Sequence, residues 1–193
     1  MRKFTSLLFI FIFIFNVNVS AEKVKRISEG KEDAKITIIA YESLTCGHCA
    51  DFHRDIYPEL KKNFIDTGLV KIEFRHFPLD IAAFNASKIG QCNNDGNSDL
   101  LHILFSGQKK WAKGATPDEA AEYLKKFLKD EAIDIDFEKC LGNKDIEDFV
   151  LNDRIEGVKK FEVNATPTII INDKKFDKAL NYKNLKKYLE KLI

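Results

Sequence analysis

The sequence predicts an α/β protein in which a small sheet carries helices on both faces and an all-helical segment is inserted between its two sheet-forming parts. Residues 34–77 follow a strand, helix, strand pattern, and residues 79–142 contain helical patterns without a convincing strand. The remaining residues follow a helix, strand, strand, helix order. A right-handed crossover between the first two strands makes them parallel.

The first part contains a strand that runs straight into a helix. The stretch AKITIIAYE (34–42) is almost continuously apolar and rich in β-branched residues, which is typical of a central strand covered on both faces. From Cys46, apolar residues recur at three- and four-residue steps, which predicts a helix that Pro58 either kinks or divides. The alternating stretch LVKIEFRHF (69–77) predicts the second strand.

The later elements have clear signals in the sequence. Thr116, Pro117 and Glu119 mark a helix start, because they supply a capping residue, a first-turn proline and a capping-box carboxylate. Beyond it, the patterns predict a helix over 144–161, two strands at Thr168–Ile171 and Lys174–Phe176 around an Asn172-Asp173 turn, and an amphipathic terminal helix in NYKNLKKYLEKLI.

The N-terminal residues predict export. Two basic residues precede the apolar run LLFIFIFIF, and Val19 and Ala21 give the small-residue spacing of a cleavage site, so a signal peptide is predicted over 1–21. The alternative is an uncleaved membrane anchor, but the apolar run is shorter than the roughly 20 residues of a spanning helix. Export favours disulfide chemistry as the role of the four cysteines.

The charge balance gives no indication of nucleic-acid binding. Cleavage of the signal peptide would remove two of the 31 basic residues and none of the 30 acidic ones, so the mature chain would have a net charge of −1. Clusters such as LKKYLEKL place cations and carboxylates at helical spacing, which indicates a solvated helix face.

Cys46 and Cys49 are the strongest candidates for chemistry. A thiol attacks as its thiolate, and the N-terminus of a helix stabilises that anion at an exposed position, where Cys46 is predicted to lie. Cys49 is one turn further and more sheltered, as suits a cysteine that resolves a mixed disulfide. Gly47 is expected to allow a tight turn, and a protonated His48 to stabilise the Cys46 thiolate.

Two other interpretations of the cysteine pair remain open. A metal site could use Cys46, Cys49 and His53, although structural zinc usually draws on two such pairs. A purely structural disulfide across four residues would restrain almost no chain entropy. His48 itself could be a solvated helix residue, since only its position between the cysteines gives it weight.

The signal peptide, a strand leading to CGHC at a helix start, the helical insertion and a late ATPT before a strand together resemble the DsbA-like thiol-disulfide oxidoreductases of the thioredoxin superfamily. The resemblance covers essentially all of the mature chain and implies a thioredoxin fold, divided into 22–78, a helical insertion at 79–142, and 143–193. It implies that Pro167 is a cis-proline packed against the cysteine pair, and that the backbone of Thr166 receives an extended substrate.

The resemblance also implies a function. We expect a periplasmic enzyme that passes its Cys46–Cys49 disulfide to reduced or unfolded exported polypeptides. It would be reoxidised by a DsbB-like membrane partner, act as a monomer, and need no cofactor and no metal. Thr166 and the Gly47-His48 dipeptide also favour the alternative of an isomerase or reductase. A metal-binding or chaperone-like module is the alternative from another class, and an uncleaved anchor would place the protein at the inner membrane.

Other residues receive secondary predictions. Members often hold an acidic residue six positions before the first cysteine, thought to help move protons at the buried second cysteine, and this chain has Ala40 there. Glu42 could substitute only if a strand irregularity brings it near Cys49, and it is interpreted as a surface residue. Cys92 and Cys140 lie near the ends of separate helices of the insertion, which predicts a structural disulfide, with free buried thiols as the alternative. Some DsbA-like proteins of α-proteobacteria carry a similar second bridge. The side chains interpreted as ordinary structural residues are His76, His102 and Trp111.

Overall fold

A computed structural model describes residues 24–193, so the predicted signal peptide lies outside the described residues. In the described part, one mixed sheet has the order β1-β3-β2-β4-β5. Its strands are β1 (Ser28–Glu29), β2 (Ile36–Glu42), β3 (Val70–His76), β4 (Thr168–Ile171) and β5 (Lys174–Lys175). Strand β2 is central, parallel to β3 and antiparallel to β4, which confirms its predicted place.

Helices cover the sheet and form the insertion. The helices are α1 (47–65), Ile81–Gln91 (α2), Asp99–Ser106 (α3), Gln108–Trp111 (α4), Pro117–Asp130 (α5), Phe137–Gly142 (α6), Lys144–Phe161 (α7) and Tyr182–Leu189 (α8). Helices α7 and α8 accompany the C-terminal strands, and α2 to α6 lie between β3 and α7 in a stretch where the structure has no strand. The fold is therefore a thioredoxin fold with an inserted all-helical domain.

Helix α1 continues past Pro58. A proline lacks the N–H of a helical hydrogen bond, and its ring collides with the carbonyl four residues earlier. Here the turn before it widens into a π-helical segment, Phe52–Ile56, and the Tyr57 N–H donates to the carbonyl of Phe52, five residues back. The wider turn lets the helix pass the proline without ending.

The two faces of β2 explain its continuous apolar pattern. Ile38 and Ala40 pack into the larger core, while Ile39 and Tyr41 point to the opposite face and a smaller cluster. The larger core extends into the insertion, where Trp111 is buried and its indole N–H donates to the Leu104 carbonyl at 2.8 Å. Trp111 is therefore a packing residue, as the sequence indicated.

The insertion carries a second pair of cysteines. Cys92 follows the last turn of α2 and Cys140 lies in α6, and a disulfide joins them with their Cα atoms 5.5 Å apart. Both cysteines pack against the larger core. Within residues 24–193, no helix has both the length and the apolar character needed to cross a bilayer.

Gly107, between α3 and α4, offers a test of packing in the insertion. The ring of Phe127 occupies the space where a Cβ at this position would lie, so Gly107→Ala forces the ring to move. We expect the substitution to lower the free energy of unfolding by about 1–3 kcal/mol, measured by urea denaturation. Gly142→Ala is the matched control, since a Cβ there meets nothing within 4 Å. Equal denaturation midpoints for the two variants would contradict the close packing.

Candidate active site

Cys46 lies in the turn between β2 and α1, directly before the first residue of the helix. It is the N-cap residue of the helix, and its Sγ accepts a hydrogen bond from the Cys49 N–H at 3.4 Å. The same sulfur lies 3.3 Å from the carbonyl oxygen of Thr166, which precedes β4. Cys46 is partly exposed, whereas Cys49, one turn into the helix, is fully buried.

The surroundings of Cys46 favour its thiolate. The pKa of Cys46 is lowered to about 5, chiefly because the Cys49 thiol donates a hydrogen bond to it. Burial acts in the opposite direction, and the backbone N–H groups of Cys49 and His48 at the helix start add to the stabilisation. At neutral pH the partly exposed Cys46 is therefore ionised.

Cys49 has the opposite character. Burial raises its pKa far above the ordinary value for a thiol, and its hydrogen bond to Cys46 and the negative charges of Glu42 and Cys46 raise it further. The pair thus combines an exposed thiolate with a buried thiol. This asymmetry provides one sulfur to react with another molecule and a second to close or open the bridge.

The two residues between the cysteines, Gly47 and His48, are both exposed. The His48 imidazole is 88% exposed, with Nδ1 3.8 Å from Asp51 Oδ2, and the residue stabilises the thiolate through its backbone N–H. Gly47 has no positive φ, and its expected role in a tight turn stays a prediction. A Cβ there would also meet nothing within 4 Å. The side-chain effect of His48 stays a prediction.

A groove opens beside the exposed sulfur. The Thr166–Pro167 peptide bond is cis, and these two residues form one wall of a cavity of about 590 Å³. Helix α1 forms a second wall with His48 and Phe52, and Tyr182 at the start of α8 contributes to a third. An extended chain lying in this groove would pass next to Cys46.

The insertion holds the turn that carries Cys46. Gln108, the first residue of α4, directs its side-chain amide N–H groups to two carbonyls of this turn, those of Leu44 and Cys46, each at 2.9 Å. Gln108 is itself buried. The start of α1 is therefore fixed by a residue far away in the sequence.

Comparison with known proteins gives the family. The family model described as Thioredoxin matches residues 22–191, nearly the whole of the chain. The chain belongs to the thioredoxin family. Within it the chain is DsbA-like, since it superimposes on Wolbachia pipientis alpha-DsbA1 with a TM-score of 0.76 and 29% identity, over 86% of this chain and 90% of the other.

Two further relatives are similar in sequence to this thioredoxin-family chain. The disulfide bond formation protein D of Bacillus subtilis is 28% identical over 84% of this chain and 74% of its own length. A Rickettsia bellii protein whose name places it among protein-disulfide oxidoreductases is 35% identical over 54% of this chain. That match covers 45% of the Rickettsia protein, so the chain spans less than half of its length.

Glu42 is not the surface residue that the sequence predicted. It is 5% exposed, because it points to the same face of β2 as Ala40 and α1 covers it. Its Oε2 lies 2.9 Å from Nε2 of His53, and its Oε1 has no hydrogen-bond partner. The thioredoxin-family fold therefore buries a carboxylate close enough to Cys49 to raise the pKa of that thiol.

The histidines near this carboxylate also differ from expectation. His53 directs its two ring nitrogens to Glu42 and His102, so it does not join Cys46 and Cys49 in a set of metal ligands. Within residues 24–193, no group of three or more His, Cys, Asp or Glu is arranged to hold a metal ion. His102, predicted to be an ordinary helix residue, is part of this polar network.

Proposed function

We propose that this protein is an exported thiol-disulfide oxidoreductase that introduces disulfides into other exported proteins. The observation that carries the proposal is the placement of a partly exposed Cys46 at the start of α1 beside a buried Cys49. This placement lowers the pKa of Cys46 and raises that of Cys49. The reduced form is stabilised by its Cys46 thiolate, so the oxidised form tends to accept electrons. The names of the Rickettsia and Bacillus relatives support the same class of activity.

The exchange proceeds in two sulfur transfers. A substrate thiolate attacks Cys46 Sγ, the Cys46–Cys49 bond breaks, and Cys49 leaves as a thiolate that takes up a proton. The second substrate thiolate then attacks the substrate sulfur of this mixed disulfide and releases the Cys46 thiolate. Two electrons pass to the cysteine pair and the substrate gains one disulfide. Release is fast because Cys46 has a low pKa.

The groove beside Thr166 and Pro167 would hold the substrate. A reduced polypeptide in an extended conformation would pair its backbone with that of Thr166, as in strand addition, with little dependence on its side chains. We propose export by a signal peptide over 1–21 to the periplasm, action as a monomer, no cofactor, and reoxidation by a DsbB-like membrane partner. The Cys92–Cys140 bridge has a structural role in this scheme.

A reductase or isomerase is the second candidate, favoured by Thr166 before the cis-proline and by Gly47. The redox potential of the pair distinguishes the two. We expect equilibration of the purified protein with glutathione buffers to give a potential well above the value of about −270 mV for thioredoxin. Mass analysis after alkylation would follow Cys46 and Cys49 while the second bridge stays intact. A potential near that of thioredoxin would contradict the oxidase and indicate a protein that needs electrons.

A further inference from the structure

The turn between β2 and α1 is held on two sides by the helical insertion. On one side, the Thr45 hydroxyl donates to Asp80 Oδ2 at 2.7 Å, and Asp80 is the N-cap residue of α2. On the other side, the side-chain amide of Gln108, at the start of α4, donates to the carbonyls of Leu44 and Cys46. Two separate parts of the insertion therefore contact the short turn that leads into the reactive helix.

The contact made by Gln108 is the more protected of the two. Gln108 is 8% exposed, and its bond to the Leu44 carbonyl is buried. The bond between Thr45 and Asp80 is exposed, so water competes for both of its partners. A buried carbonyl that loses its donor keeps the full cost of having left water. The turn therefore depends more strongly on Gln108 than on Asp80.

A primary amide suits this position because a single nitrogen carries two N–H groups. The two carbonyl oxygens of Leu44 and Cys46 each lie 2.9 Å from Gln108 Nε2, so both converge on one atom. Without a donor between them, the partial negative charges of the two oxygens would repel each other. The amide satisfies both oxygens and brings no charge into the interior.

This contact completes the fixation of the Cys46 backbone. The Cys46 N–H donates to the Ser43 carbonyl at 3.0 Å, and the Cys46 carbonyl accepts from the Ala50 N–H at 3.2 Å as well as from Gln108. Both acceptor sites of that carbonyl are then used. With its backbone held in this way, Cys46 directs Sγ to the Cys49 N–H at 3.4 Å. The direction of the reactive sulfur thus follows from the position of the turn.

Gln108 is itself held by the core of the insertion. The residue before it, Gly107, lies so close to the ring of Phe127 that the ring occupies the space of a Cβ. At the other end of α4, Trp111 is buried and its indole N–H donates to the Leu104 carbonyl at 2.8 Å. Both ends of this short helix are packed, so the amide of Gln108 has little freedom to follow a turn that moves away.

We propose that Gln108 is a positioning residue for disulfide exchange, whose amide holds the turn so that the Cys46 sulfur stays in its reactive orientation at the start of α1. The inference rests on the proposed function, since this orientation matters only if Cys46 exchanges disulfides. The groups that bond directly to the sulfur come from Cys49, His48 and Thr166. Gln108 bonds to the backbone of Cys46 and is neutral, so it acts through position and not through charge.

The positioning affects the end states of the exchange as well as its rate. A turn that moves away from Gln108 takes the Cys46 sulfur away from the donors that stabilise its thiolate. Because the reduced form owes its stability to that thiolate, a displaced turn makes the cysteine pair harder to reduce and a weaker oxidant. A residue that only supports folding would leave this equilibrium unchanged in the folded protein.

Gln108→Met tests the proposal, because methionine has a similar length and no donor. Alkylation of the reduced protein is followed against pH, and the cysteine pair is equilibrated with glutathione. We expect the alkylation midpoint of Cys46 to rise by about one pH unit, a tenfold loss of thiolate stabilisation. The equilibrium with glutathione should move about tenfold towards the Cys46–Cys49 disulfide, which lowers the reduction potential by about 30 mV.

Gln91→Met is the matched control. Gln91 is a second buried glutamine of the insertion, 2% exposed, whose amide donates to the Lys25 carbonyl at 2.6 Å and whose Oε1 lies 3.2 Å from His76 Nε2. The two variants each remove a buried amide, so urea denaturation should show a loss of stability in both. Only Gln108→Met should change the alkylation midpoint and the equilibrium with glutathione.

Gln108→Asn provides a second test if Gln108→Met does not fold. It keeps the amide but withdraws it by one methylene, so it loses the reach to both carbonyls and should change both quantities in the same direction. Unchanged values in the folded Gln108 variants, or equal changes in Gln91→Met, would overturn the positioning role and leave the proposed function intact. A wild-type potential near that of thioredoxin would overturn the oxidase instead, and the comparison of alkylation midpoints would still test Gln108.

Discussion

Cys49→Ala protein is expected to accumulate mixed disulfides with its substrates through Cys46, whereas Cys46→Ala protein forms none and loses exchange activity entirely. Of the two, Cys46 is the partly exposed cysteine, and the buried Cys49 beside it is the one expected to release what Cys46 captures. Non-reducing gels and mass analysis of protein incubated with a reduced, unfolded client would show the adducts. Adducts on Cys46→Ala protein would contradict the assignment of the two roles.

The capture by Cys46 should also depend on pH in a defined way. In the reduced wild type, alkylation should rise through a midpoint near pH 5, the pKa of the Cys46 thiol. In Cys49→Ala the midpoint should move up, because the main hydrogen-bond donor to the thiolate is gone. Folding lowers this pKa, so the thiolate stabilises the reduced fold above the ordinary thiol pKa, and this stabilisation is lost as the pH falls through about 5.

Removing the second bridge is expected to have the largest effect on stability. The Cys92–Cys140 disulfide closes a loop with a sequence separation of 48 residues, for which the chain-entropy model gives about 4 kcal/mol. We expect the Cys92→Ala, Cys140→Ala double variant to lose about that free energy of unfolding in urea denaturation. The Cys46→Ala, Cys49→Ala double variant is the control, since a bridge across four residues restrains little of the unfolded chain. Equal losses in both would contradict the structural role.

Much of the fold was predictable because its signals are local. The continuous apolar run of β2 follows from burial on both faces, with Ile38 on one and Ile39 on the other. The change from strand to helical periodicity after β2 predicts a helix start at Cys46, and Cys46 is the N-cap residue of α1. Strand β1 was missed, because its two residues form a strand only through pairing with β3 and have no pattern of their own.

The polar network was the main failure of prediction from sequence. Glu29, Glu42, His53 and His102 come from four separate elements, and no local pattern connects them. Two weak signals existed. Glu42 shares a strand face with Ala40, where a buried side chain is expected, and His53 follows Cys49 by one helical turn. Neither signal says that the two side chains meet, because that depends on how α1 lies across the sheet.

The two hydrogen bonds of Gln108 bear on how this architecture could be modified. The carbonyls of Leu44 and Cys46 receive their donor from the helical insertion, although both lie between β2 and α1, outside it. A shortened protein without the insertion would leave two carbonyl groups at the reactive turn without this donor. Grafting the cysteine pair onto a smaller scaffold, or exchanging insertions between relatives, therefore requires a replacement amide at this point. The insertion is thus part of the framework that positions the turn carrying Cys46.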